Sequence, residues 1–301
     1  MKKEDHLMKK RGHLKKGLVH RANHFWREYA KRPRSLFLFI LVMLSAAVTI
    51  GILFSIIAYI LINGFSHIKP ELFAWEFSTE NMSMMPAIIS TIYMTVLSLA
   101  MAVPVGVFSA VYLVEYAPKG SKAVRVMRTA TETLQGIPSI VYGLFGYILF
   151  VITLGWSYSL LAGAVTLAIM ILPLIIRTTE EALMSVPNGY REGSFGLGAG
   201  KLFTIFKLIL PCAVPGILAG IILAIGRIVG ESAALIFTAG TVAQVPGSIF
   251  DSARTLSVHM YALLSEGLYT DQAYATAVIL LLMVICINAV SAAIAKRLTA
   301  R

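Results

Sequence analysis

The stretch GYREGSFGLGAGKLF, Gly189 to Phe203, is polar, rich in glycine and set between two long apolar runs. Its reading decides the fold, because most of the chain around it has the composition of a membrane protein. Of the 301 residues 57% are hydrophobic and only 14% charged, against roughly a quarter charged in soluble domains. The mean hydropathy is +0.79. The apolar residues are also gathered in blocks: Asp, Glu, Lys and Arg are missing from 35–68, 81–114, 133–176, 208–226 and 272–295.

A helix needs about 20 mostly apolar residues to cross the hydrocarbon layer, so the block 133–176 is long enough for two crossings. Six spans follow, near 36–62, 86–113, 123–154, 160–176, 213–237 and 273–295, and the fold class is all-α and polytopic. The third span is the least regular. Arg125, Arg128 and Glu132 lie in its first turns, and Gly136 and Pro138 are expected to bend or break it. Pro104, Pro173 and Pro215 are expected to kink their helices mildly. The chain divides into a basic N-terminal segment over 1–35, a first transmembrane helix over 36–63 and a transmembrane domain over 86–296.

Orientation follows from the Lys and Arg of the connections. With the N-terminus inside, the inner segments hold twelve such residues before Ser35, four over 119–128, four over 177–207 and three after Ala295, while the outside keeps only Lys69 and Arg254. Both termini and the glycine-rich stretch are therefore expected in the cytoplasm. The net charge of +11 reads as an orientation signal and a contact with anionic membrane lipid, not as a nucleic-acid surface. Leu7, Leu14, Leu18, Phe25, Trp26 and Tyr29 suit an amphipathic segment on the membrane. His13, His20 and His24 lack the Cys or carboxylate companions of a metal site, so no metal or other cofactor is expected. Cys212 and Cys286 fall in or beside apolar spans and read as small buried groups.

The glycine-rich stretch is no nucleotide loop. Gly200 and Lys201 are followed by Leu202 where a hydroxyl residue is required, Phe195 stands in place of the first glycine, and no strand precedes. It reads instead as a helix-turn-helix knob over about 187–210. Pro187 suits a first helical residue, Gly198 a left-handed stop, and a second helix runs from Gly200 through KLFTIFKLIL to Pro211.

That stretch resembles the coupling motif of ABC importer permeases, E-A-A, three residues, G, nine residues, I-x-L-P. Here it reads Glu192-Gly193-Ser194, Gly198 and Leu208-Ile209-Leu210-Pro211, with Gly193, Ser194 and Leu208 departing from the pattern. GIPSIVYGLFG from Gly136, EALMSVPNGYREG from Glu181 and PGILAGIILAIGRIVGESAALIFTAG from Pro215 are similar to the PstA-type permeases of phosphate importers. The likeness covers roughly 86–296. It implies the type I (MetI-like) permease fold and a non-enzymatic subunit in the cytoplasmic membrane. The implied partners are a PstC-type permease, two ATP-binding cassette subunits and an external phosphate-binding protein. Arg191, Glu192, Gly193, Ser194 and Gly198 would then couple to the ATPase. Phosphate rests on resemblance alone, since importers of sulfate, molybdate and tungstate share the architecture.

Charge inside a span is costly unless it faces protein or water, which singles out Arg227 and Glu231. Four residues apart on one helix, they would share a face and either pair with each other or attend the solute pathway, Arg227 meeting the anion and Glu231 limiting its hold. Glu132 is a further pathway candidate. Gly216 with Gly220, and Gly226 with Gly230, make small faces for close helix packing, within the chain or against a partner. A self-sufficient secondary transporter is disfavoured because no internal repeat is visible. An intramembrane enzyme is disfavoured because no catalytic constellation lies at membrane depth.

Overall fold

The computed structural model describes residues 33–118 and 120–299. The amphipathic and histidine-bearing positions proposed between Leu7 and Tyr29 lie outside them. The chain forms two units, Met1–Tyr59 and Ile60–Arg301. In the first, the described residues are the opening turns of helix α1 (Pro33–Phe65). They are apolar on every side, with Phe37, Leu44 and Phe54 all exposed, as befits a surface made for lipid. The hydroxyls of Ser45 and Thr49 donate back to the Leu41 and Ser45 carbonyls, so neither is left unpaired.

In the second unit α2 (Met85–Val111) runs on into a π-helical turn, Tyr112–Tyr116. Then come α3 (Lys122–Gln135), α4 (Ser139–Gly146) with a π-helical extension (Tyr147–Thr153), and α5 (Leu160–Ser185). Two short helices, α6 (Asn188–Gly196) and α7 (Lys201–Thr204), lead through a π turn (Ile205–Ile209) into α8 (Leu210–Val229). The chain ends with α9 (Ala233–Thr238), α10 (Leu256–Glu266) and α11 (Thr270–Thr299).

Among the described residues, five runs are long and apolar enough to cross a membrane: Arg34–Phe65, Met85–Tyr116, Leu160–Ser185, Lys201–Val229 and Thr270–Arg297. The sixth expected span is a broken pair, Val124–Gln135 and Ser139–Thr153, bent by 101°. Pro138 removes a backbone donor and drives Ile137 out of the helical region, which is why the helix stops there. The Tyr142 hydroxyl donates to the Leu134 carbonyl across the bend, 2.8 Å, and takes up one of the carbonyls that the break frees. Pro104, Pro173 and Pro215 all lie inside helices and end none of them.

Helix α5 is the hub, packed against α2, α3, α4, α8 and α9. Along α2 three apolar cores follow one another. Ala87 belongs to one with Leu72, Met84, Leu256 and Leu263; Met94 and Ala102 to a second with Leu167, Ile171, Ile228 and Leu235; Ala110 and Val111 to a third with Leu183, Ile205 and Ile209. Because lipid tails are as apolar as leucine, close fit rather than water exclusion holds such helices together. Gly216 and Gly220 supply that fit within the chain: a Cβ on Gly216 would stand 2.6 Å from the Ala182 Cβ, and one on Gly220 would overlap Thr178. Among the described residues, a Cβ on Gly226 would touch nothing, and one on Gly230 only the Gly226 carbonyl oxygen, at 3.5 Å. Cys212 and Cys286, expected inside, are unpaired and lie on the surface of the chain.

At the end of the unit away from α6 and α7, His259 on α10 is fully buried. Its ring meets Phe77 edge-on at 6.0 Å, and Arg254 lies over Phe77 at 5.4 Å. Arg254 Nη1 stands 3.3 Å from His259 Nδ1. A guanidinium only donates, so Nδ1 accepts and the imidazole is neutral. Burial first, and the Arg254 charge second, push the His259 pKa down to about 4. A depressed histidine pKa contributes stability that is whole above the unfolded value near 6.5 and is lost as pH falls through 4. The purified protein in detergent is therefore expected to lose on the order of 3 kcal/mol between pH 6.5 and 4 from this group. Melting temperatures measured across that range should fall, and should fall less in His259→Leu.

Candidate functional site

Two places in the second unit carry polar groups that packing alone does not require: the knob formed by α6 and α7, and the break between α8 and α9. In the knob, Pro187 caps α6 one residue before the helix begins, not at its first position. The helix then ends in a Schellman motif, with Ala199 N donating to Ser194 O (3.1 Å) and Gly198 N to Phe195 O (2.9 Å). Gly198 takes φ +81°, the left-handed conformation that residues bearing a Cβ avoid. Gly200 caps α7, and the Ser194 and Thr204 hydroxyls, 2.8 Å apart, tie the two helices.

The knob's outer surface is apolar. Leu197 is 90% exposed, and Leu202, Phe203, Tyr190 and Phe195 are exposed beside it. Glu192 and Gly193 lie on the same open surface, where a Cβ on Gly193 would touch nothing. The second helix does not stop at the membrane: it continues from Lys201 to Val229. The π turn makes this possible, since the Leu210 N–H bonds five residues back to Ile205. The widened turn lies just ahead of Pro211, which can make no such bond of its own.

Arg191 faces inward, away from that outer surface. Its Nη2 donates to Glu115 Oε1 at 2.6 Å and to the Leu183 carbonyl at 3.0 Å, and its Nη1 to the Val186 carbonyl at 2.9 Å. The Glu115 side chain is 9% exposed and that of Arg191 16%. The pair thus joins the end of α2, the end of α5 and the start of α6. An open groove of about 700 Å³ runs beside it, lined by Val114, Met184, Asn188, Phe195 and Lys201. Lys201 sits over the Tyr116 ring at 4.6 Å.

At the other place, the expected helical pairing of Arg227 with Glu231 is not found. Helix α8 ends at Val229, so Glu231 stands in the break and not on the same helical face. Its carboxylate accepts from Ala234 N at 3.1 Å, capping α9, while the Ser257 hydroxyl donates to its carbonyl. Glu231 is buried, and these bonds give it a structural reason to be there. Arg227 is half-buried in the last turn of α8. Among the described residues its guanidinium has no ion pair and no hydrogen bond; it lies within electrostatic reach of Tyr142. Gly226 and Gly230 leave the space beside it open.

Glu132 is exposed and paired with Arg177 at 2.9 Å, and Arg177 also holds Glu181 at 2.6 Å. Arg128 reaches the buried Glu180 at 3.2 Å. These bonds clasp α3 to the last turns of α5. Glu115 and Arg177 escaped the sequence reading, although Glu115 is the first charge after the block 81–114 and thus carried a signal.

The family described as binding-protein-dependent transport system inner membrane component matches residues 102–301. The chain is 35% identical over 248 residues to the probable ABC transporter permease protein YqgI of Bacillus subtilis (strain 168), 76% of this chain and 82% of that one. It is 36% identical over 210 residues to the phosphate transport system permease protein PstA of Mycobacterium leprae (strain TN), 69% of this chain and 68% of that one. Among solved structures, a chain of a bacterial alginate ABC transporter, in complex with its alginate pentasaccharide-bound periplasmic protein, superimposes with a TM-score of 0.67 at 17% identity. That match covers 88% of this chain and 96% of the other. A chain of the MetNI methionine ABC transporter, inward facing, superimposes with a TM-score of 0.58 at 22% identity, over 72% and 94%. At these identities the structures speak for the fold, that of a type I importer permease.

The geometry of the knob predicts opposite outcomes for two of its glycines. Gly193→Ala fills open space inside a helix and should stabilise α6 by about 1 kcal/mol, read as slower amide exchange over 189–196. Gly198→Val forces a β-branched residue to positive φ and should cost about 1–3 kcal/mol, read as faster exchange and proteolysis across 188–204.

Proposed function

The chain belongs to the binding-protein-dependent transport system inner membrane components, and we propose that it is the permease subunit through which an ATP-driven importer moves inorganic phosphate across the cytoplasmic membrane. Relatives named as phosphate permeases support the substrate: PstA of Mycobacterium leprae at 36% identity and PstA of Haemophilus influenzae at 32%. The observation that carries the mechanism is the knob. It is a helix-turn-helix with an apolar outer surface, continuous with a membrane helix, and an exposed patch of Leu197, Leu202, Phe203, Tyr190 and Phe195 is the kind of surface that a partner protein covers.

In this reading the knob lies in the cytoplasm and docks on an ATP-binding cassette subunit, one of two, and ATP is hydrolysed there. Glu192, Gly193 and Ser194 belong to the docking helix, Gly198 sets the turn that aims it, and Arg191 holds it from behind. The excess of Lys and Arg on the same side supports this orientation, with both termini inside. A PstC-type permease supplies the other half of the pathway, and an external phosphate-binding protein delivers the ion.

Arg227 is the residue assigned to the ion. It is a guanidinium in the last turn of a membrane helix, beside two glycines with open space, and an oxyanion there would supply the partner that the described residues do not. Glu231 shapes the site by capping α9 and sets a negative charge near the ion, so that the hold stays weak enough for release. Glu132, exposed in the last turn of α3 before the bend, is assigned to the opening of the pathway on the knob side.

Radiolabelled orthophosphate uptake by the complete complex in proteoliposomes tests this reading. Uptake should require ATP and the binding protein, and should resist a tenfold excess of sulfate or molybdate; ATP-independent uptake, or equal competition by sulfate, would contradict it. Arg227→Gln should lower uptake by about tenfold or more, the loss of one charge-assisted contact, with all subunits still copurifying. Glu231→Gln keeps an oxygen to accept from Ala234 N, so it should leave the fold intact and change only the rate.

A further inference from the structure

We propose that Arg191 and Glu115 are positioning residues: a strut that makes the end of α2 follow the docking helix, so that one movement of the knob reaches two membrane helices. The inference rests on the importer reading above and goes beyond it, since that reading needs only α8 to transmit the movement.

The geometry points this way for three reasons. Arg191 sits on α6, yet its strongest contacts are to other elements, with two nitrogens on Glu115 Oε1 at 3.1 and 2.6 Å and further donors on the Leu183 and Val186 carbonyls. A planar fork filled from three sides fixes orientation as well as distance, which a flexible ammonium would not do. Secondly, the two side chains are mostly covered, at the wall of the groove, while the knob's outer surface is open. Its attraction is therefore less screened than that of an exposed pair, and removing either partner leaves the other's charge mostly covered and unpaired. Thirdly, Glu115 stands in a π-helical turn, where the Ala117 N–H bonds back to Tyr112 O at 2.9 Å. Such turns are rare and occur frequently at functional sites. Lys201, over the Tyr116 ring, holds the neighbouring residue of the same turn to α7.

Two routes then leave the knob. One is the unbroken helix from Lys201 to Val229, which carries Arg227. The other passes through Arg191 and Glu115 into α2, which packs along α5 and contacts α8. Movement delivered to α8 alone would shear it against α2; movement delivered to both shifts them together.

The test compares ATP hydrolysis and orthophosphate uptake in the same proteoliposomes of the whole complex, for wild type, Glu115→Gln, Arg191→Lys and the double variant. Glu115→Gln keeps a hydrogen-bond acceptor and removes the charge; Arg191→Lys keeps the charge and removes the fork. Each single variant should import about fivefold fewer ions per ATP hydrolysed, the low end of typical coupling between sites. The double variant should be no worse than the poorer single, because one strut is broken only once. All subunits should still copurify. A ratio within twofold of wild type in both singles, losses that multiply in the double, or dissociation of the complex in both singles would each overturn the strut. If wild type itself shows no ATP-driven orthophosphate uptake, the importer reading fails instead.

Discussion

Inside hydrocarbon no water is available to satisfy a peptide group, and every interruption of a membrane helix must be repaired by the protein itself. The two main interruptions of this fold obey that constraint with identifiable side chains. At the 101° bend before α4 the Tyr142 hydroxyl reaches the Leu134 carbonyl. At the break after Val229, Glu231 caps Ala234 N and Ser257 covers the Glu231 carbonyl. The two repairs are neighbours. Helix α4 packs on α9 so closely that a Cβ on Gly143 would lie 2.8 Å from the Ala234 backbone. The broken pair and the interrupted eighth helix thus meet in one small-residue contact, and Arg227 stands within electrostatic reach of it.

Charge is distributed to match. The ion pairs Arg128–Glu180, Arg177–Glu132, Arg177–Glu181 and Arg191–Glu115 all join the knob end of the molecule, where α3, α5, α6 and the end of α2 converge. Exposed pairs of this kind add little stability. The buried members, Glu180 and Glu115, matter for a different reason: removing the partner of either would strand a carboxylate away from water. They fix how the elements are aimed. Arg227, half-buried and without an ion pair among the described residues, is left over from this pairing.

Much of this was legible in the sequence. Blocks free of charge gave the long helices, because the cost of a charge in lipid leaves an unmistakable gap. Gly136 and Pro138 gave the bend, and Gly198 gave the turn of the knob, because each removes a conformational option locally. The site was less legible. A spacing of four residues put Arg227 and Glu231 on one helical face, which assumed that the helix continued past Val229. Nothing local in GRIVGES forbids that continuation. The break is set by distant partners, with Ser257 and Ala234 answering to Glu231. Likewise the role of Arg191 depends on Glu115, 76 positions earlier, and such pairings do not show in periodicity. The small faces of the fifth span were also ambiguous until Gly216 and Gly220 were found against Ala182 and Thr178.

The unbroken run from Lys201 to Val229 has a consequence of scale. At about 1.5 Å per residue, Arg227 lies roughly 40 Å from the base of the docking helix. A helix of that length, tilted as one body by about 5° at its foot, sweeps its far end through about 3 Å, the length of one hydrogen bond. In the importer proposed above, bringing the Arg227 guanidinium into and out of reach of an anion would therefore ask very little travel of the subunit that grips the foot.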